Sequence, residues 1–117
     1  MKLNTMRFLP LSPAALHILL TLAGEDLHGY GIMLEVARQS EGQYKLGPGT
    51  LYDNLRKLMT QGSVEEIQKR TSGKDPRRRY YRLTGLGRRV LAAEVARLEG
   101  VVRKAKGYLL GTKQRRA

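Results

Sequence analysis

Apolar residues in this chain recur mostly at helical spacing, and most clearly around residues 47–62. Leu51, Leu55, Leu58 and Met59 fall at i, i+4, i+7 and i+8, one buried stripe of a helix. Pro48 suits the first turn, where its missing N–H costs nothing, and Gly62 suits a left-handed cap. The opposite side carries Thr50, Asp53, Asn54, Arg56 and Lys57, short hydrogen-bonding groups and long cations. The spacing therefore predicts a short helix held by leucines and offering a polar, basic outer face.

Two helices are predicted before it and one long helix after it. Ser12 caps the first, with Pro13 at its first position and Leu11 and Leu16 placed for a hydrophobic staple. Its expected stripe is Leu16, Leu19, Leu20 and Ala23, ending at Gly24. The second opens at Leu27-His28-Gly29-Tyr30-Gly31 and buries Ile32, Met33, Val36 and Ala37. Tyr30 fits a core-rim aromatic first and a phosphate contact through its hydroxyl second. Residues 40–46 read as a loop of ordinary length between helices. The last helix is capped by Thr84 and runs to about Leu110. Leu91, Val95, Leu98, Val102, Ala105 and Leu109 are spaced 4, 3, 4, 3, 4 along it, a heptad seam better suited to another helix than to a globular core. Gly100 and Gly107 interrupt that helix at about 1 kcal/mol each relative to alanine. It therefore needs support from outside itself, and a second copy of the chain is the expected source.

Between the third and fourth helices the period changes to two. Residues 64–70 and 77–83 flank Thr71-Ser72-Gly73-Lys74-Asp75-Pro76, which holds turn chemistry and no apolar residue. An antiparallel hairpin follows, with Tyr81 and Leu83 inward and Tyr80 and Arg82 outward. From Arg70 to Arg89 eight basic residues face the single acid Asp75, and Arg77, Arg78 and Arg79 stand in a row. A polar-faced helix followed by a basic hairpin is the winged-helix layout, the helix entering the major groove and the hairpin gripping the backbone. The expected fold is mainly α with a small β-hairpin (α+β). Its parts are an arm at 1–10, a winged helix-turn-helix at 11–84, a dimerisation helix at 85–110 and a basic tail at 111–117.

Charge strengthens that picture. A net charge of +12 with a pI near 10.5 calls for a polyanionic partner, nucleic acid before an anionic membrane surface. No stretch approaches the length of a membrane span, and the N-terminus lacks a cleavable signal pattern, so a cytoplasmic protein is expected. The absence of cysteine removes disulfides, zinc–thiolate sites and thiol redox sensing. His17, with only one other histidine in the chain, reads as a polar-face residue and not a ligand. No metal, cofactor or enzymatic activity is expected, because there is no phosphate-cradling glycine loop and no nucleophile–base pair.

Leu27-His28-Gly29-Tyr30, Gly49-Thr50-Leu51-Tyr52 and Tyr80-Tyr81-Arg82-Leu83-Thr84-Gly85-Leu86-Gly87 closely resemble motifs of the PadR family of bacterial transcriptional regulators. The resemblance spans about residues 10–110, with the motifs in the family's order and spacing. It implies a winged helix-turn-helix, an obligate homodimer and usually repression relieved by a small molecule. The single helix after the wing is similar to the short branch of the family. Carried onto this chain, Thr50, Tyr52 and Lys57 are recognition-helix contacts, and Lys74 and Arg77 to Arg79 lie on the wing. Gly47 departs from the frequent serine cap, Asp53 adds an acid to the reading face, and no tryptophan is present where some short-branch relatives use one in a dimer-centre pocket.

The expected function is a sequence-specific repressor that binds double-stranded DNA as a homodimer on a palindromic operator. A non-specific architectural protein of nucleoid or RNA is the alternative. A small hydrophobic effector is the further expected partner, in a pocket lined by Leu16, Leu19 and Leu20 with Val90, Glu94, Arg97 and Val101. Glu94 and Arg97 would orient it, or else lie on solvated flanks of the seam.

Overall fold

A computed structural model describes residues 5–68 and 78–111. It contains helices α1 (Pro13–Gly24), α2 (Gly29–Gln39), α3 (Pro48–Thr60) and α4 (Gly85–Leu109) and strands β1 (Leu27–His28), β2 (Val64–Gln68) and β3 (Arg79–Leu83). The strands form one antiparallel sheet in the order β1-β3-β2. Lys74, Arg77 and the tail 112–117 lie outside the described residues.

The helix starts follow from their caps. Ser12 Oγ accepts from the Ala15 N–H at 3.1 Å, and Thr84 Oγ1 accepts from the Gly87 N–H at 3.0 Å. Gly47 caps α3 without a side chain, and Gly62 takes φ of +85° beyond its end, a conformation that favours glycine. The expected second helix begins two residues later than its motif, because Leu27 and His28 pair with Tyr81 and Tyr80 as the short strand β1.

The core joins α1, α2, α3, the sheet and the first turns of α4. Leu51, Leu55 and Leu58 are buried as their spacing predicts, and so are Tyr81 and Leu83 on the inner face of β3. The α1 stripe is rotated from the expected one. Ala14, Ala15, Ile18, Leu19 and Leu22 are buried, whereas Leu20 is 42% exposed and Leu16 and Ala23 are half-buried. That helix is apolar almost all round, so spacing alone could not orient it. His17 also leaves the expected polar face: it is half-buried and stacks on Tyr44, with ring centroids 4.7 Å apart.

Helix α4 divides in two. Its first turns sit so close to the β2 entry that a Cβ on Gly87 would stand 2.1 Å from the Ser63 carbonyl oxygen. Leu91, expected to open the intermolecular seam, is instead 8% exposed in the chain's own core. Glu94 is 1% exposed and is neither a solvated flank nor free to meet a ligand. Its carboxylate accepts from the Leu11 N–H at 3.1 Å and from Arg97 at 2.6 and 2.9 Å. The Arg97 hydrogen bond holds its carboxyl below the usual carboxylate range, with the Leu11 N–H assisting against the opposing effect of burial. Leu19, also expected in the effector pocket, is fully buried. Beyond Glu94 the apolar residues Val95, Val101, Val102, Tyr108 and Leu109 are exposed.

Candidate nucleic-acid interface

Three segments form one face. The first is the exposed side of α3, where Pro48, Gly49, Thr50, Tyr52, Asp53 and Arg56 line an open groove of about 650 Å³. The second is the start of α2 with Tyr30, and the third is the base of the wing with Arg78 and Arg79. Tyr52 belongs both to the α3 groove and to the neighbouring cleft that these two segments share. Its hydroxyl rests on Gly29, where a Cβ would come within 2.2 Å of it. The glycine thus lets α3 approach the first turn of α2.

Electrostatics within α3 are self-contained. Asp53 meets Arg56 at 3.2 Å and Lys57 at 3.9 Å, so the acid noted in the sequence pairs with its own neighbours. Both pairs are exposed, and such pairs are worth roughly 0.3–0.5 kcal/mol, little enough for phosphates to displace them. Asn54 turns away from the groove: its amide donates to the Thr50 carbonyl at 2.8 Å. Asn54 and Lys57 line a separate small cavity with Phe8, Leu11 and Gln61. The expected reading face is therefore split, with Thr50, Tyr52 and Arg56 on one side and Asn54 and Lys57 beside the arm.

The wing base is tied to the domain by ion pairs. Arg82 reaches Asp26 at 3.1 Å, and Arg79 reaches Glu66 on β2 at 3.3 Å. Tyr30, expected first on the core rim, is 63% exposed and stands in the cleft beside Arg78. His28 and Tyr81 are functional candidates that residue patterns did not single out. His28 caps α2 by accepting the Gly31 N–H at 3.0 Å and lies 3.1 Å from Arg78. Burial lowers its pKa, and the Arg78 cation lowers it further. The one available signal was its place before a glycine at a helix start. Tyr81 is 4% exposed, and burial, then nearby Glu66 and Tyr52, push its phenol above the ordinary range.

Among the described residues there is no group of three or more metal-ligating side chains, and no helix is long and apolar enough to cross a membrane. Helices α1 to α3, a three-stranded sheet with its hairpin, and an exposed polar side on α3 define a winged helix. The model of the transcriptional regulator PadR-like family matches residues 18–93. The transcriptional regulator Rv3488 of Mycobacterium tuberculosis is 33% identical over 102 residues, covering 87% of this chain and 91% of that protein. This chain belongs to the PadR-like family of transcriptional regulators, which are not enzymes. Its fold is similar to a PadR family regulator from Clostridium difficile, with a TM-score of 0.70 and 23% identity, over 86% of this chain and all of that one. It is also similar to Bacillus subtilis PadR in complex with operator DNA, with a TM-score of 0.63 and 22% identity, over 74% of this chain and 48% of that one.

Proposed function

We propose that this regulator binds double-stranded operator DNA as a homodimer and represses transcription from it. The observation that carries the reading is the continuous face of Thr50, Tyr52 and Arg56 on α3 with Tyr30 and Arg78 beside it. A short helix displaying small polar groups and cations suits the major groove, and arginines beside it suit the flanking backbone. Bacillus subtilis PadR, a protein of similar fold held on operator DNA, supports the same reading. Lys57 then extends the helix contacts, while Lys74 and Arg77 at the wing extend the backbone contacts. The homodimer uses Val95, Leu98, Val102, Ala105 and Leu109 on α4. A small hydrophobic effector belongs at the dimer centre, near the exposed Leu20 and Val101. Acting on DNA, the protein works in the cytoplasm, at the nucleoid.

The test is selection of bound sequences from a random duplex pool by the purified full chain, followed by affinity measurements on winner and scrambled duplex. A regulator favours its operator by about 10³-fold or more. Equal affinity for both would overturn the reading in favour of an architectural protein.

A further inference from the structure

The cleft at the start of α2, about 750 Å³ and lined by His28, Gly29, Tyr30, Tyr52, Arg78, Arg79 and Tyr81, is built with more donors than acceptors. The mismatch is clearest at His28. Its Nδ1 accepts from the Gly31 N–H at 3.0 Å, and its Nε2 lies 3.1 Å from Arg78 Nη1. A neutral imidazole has one bare nitrogen, whereas a backbone amide and a guanidinium can only donate. Whichever tautomer the ring takes, one of these two contacts sets donor against donor. Capping claims Nδ1, so Nε2 carries the proton and points it at the guanidinium. An acceptor lodged between Nε2–H and Arg78 would turn that repulsion into two hydrogen bonds.

The rest of the cleft asks for the same thing. Tyr81 also lines the cleft, and its hydroxyl can donate to a ligand there. The first N–H groups of α2 lack intrahelical acceptors, and the helix N-terminus carries partial positive charge. Among the described residues the nearby acids are engaged: Glu66 pairs with Arg79, and Asp26 with Arg82.

We propose that this cleft is an anion site that takes one phosphodiester of the DNA backbone. Its non-bridging oxygens accept from His28 Nε2–H, Arg78, the Tyr81 hydroxyl and the leading N–H groups of α2. Tyr52, seated on Gly29, walls the cleft toward α3. Because His28 lies on β1 and caps α2 while Arg78 precedes β3, a phosphate held there fixes the wing base against the helix pair. The site rests on the DNA-binding reading above and adds to it a place where backbone geometry is read by neutral donors as well as by charge.

The test uses the full chain, a mixed-sequence duplex of defined length and inorganic phosphate. Tyr81→Phe deletes one hydroxyl. His28→Asn keeps a capping oxygen for Gly31 but removes the distal donor. Each is expected to weaken duplex binding about tenfold, the scale of a lost hydrogen bond to a charged group. Neither removes charge, so the slope of log affinity against log salt stays that of wild type, whereas Arg78→Ala flattens it by about one unit. Thermal midpoints near wild type separate these losses from misfolding. Amide resonances of Gly29 and Tyr30 are followed while inorganic phosphate is added. Weakened duplex binding in both variants upholds the site, and phosphate-induced shifts show whether free phosphate also enters it. Wild-type duplex affinity in both variants overturns the site and leaves DNA binding standing. If wild type binds no duplex, shifts at Gly29 and Tyr30 that vanish in the variants keep the anion site and sink the DNA reading; no shifts sink both.

Discussion

Glu94 ties α4 to the segment before α1, since it accepts from Leu11 there while pairing with Arg97 on its own helix. Glu94→Ala leaves the Leu11 N–H and a guanidinium without their acceptor, and should cost about 2–3 kcal/mol, read as a lower urea midpoint. Its folded pKa is depressed, so its contribution is present above the ordinary carboxylate range and is lost as pH falls through the folded value. Wild-type stability should therefore decline more steeply than that of Glu94→Ala as the pH is taken below the ordinary range. Equal slopes would mean that the carboxylate contributes nothing through its charge. Gly87→Ala should also destabilise, by about 1–3 kcal/mol, because its Cβ would meet the Ser63 carbonyl and Leu83 rather than a yielding side-chain end. Neither role could be read from the residue's neighbours in sequence. An acid among arginines on a helix looks solvated, and the partner that helps bury it lies 83 positions away.

The elements were more legible than their orientation. Polar–apolar contrast along α3 and β3 was strong enough to give both extent and facing, and Leu51, Leu55, Leu58, Tyr81 and Leu83 are buried accordingly. Contrast is weak in α1, so its start and end were legible from Ser12, Pro13 and Gly24 while its rotation was not. A strand of two residues has no period to detect, which hid β1 inside what reads as a helix opening. That omission also hid the cleft, because β1 is what carries His28 to the wing base. For α4 the glycines allow a direct test. Gly100 and Gly107 meet nothing within 4 Å of an added Cβ and lie on the side of the helix away from Val95, Leu98 and Val102. Gly100→Ala and Gly107→Ala should each raise stability by about 1 kcal/mol without changing the solution mass. A change of mass in either variant would place the glycines in a contact between protomers.

At the scale of the whole molecule, shape and surface favour a partner for α4. The Cα radius of gyration is 17.2 Å and the longest extent 63 Å. A compact chain of this length has a radius of about 13 Å. The excess comes from α4, whose 25 residues extend about 37 Å, well past the core at Glu94. Its projecting half displays Val95, Val101, Val102, Tyr108 and Leu109 to solvent, and Val95, Leu98 and Val102 line an open apolar groove with Glu99, Arg103 and Lys106. A helix exposing that much apolar surface has little reason to persist alone, since packing of such a face supplies most helical stability. Two copies packed through these faces would bury both grooves and set two α3 helices at a fixed separation. Leu98→Glu places an unpaired charge in that face, which is expensive to bury but harmless to the winged-helix core, where Leu98 takes no part. Light scattering should then report a monomer whose thermal midpoint for the remaining core stays measurable. Duplex binding should fall by more than loss of a single contact would give, because two half-sites engaged together gain avidity that one cannot supply. A folded Leu98→Glu variant that keeps both the dimer mass and wild-type affinity would remove α4 as the interface, and the exposed valines would then need another partner.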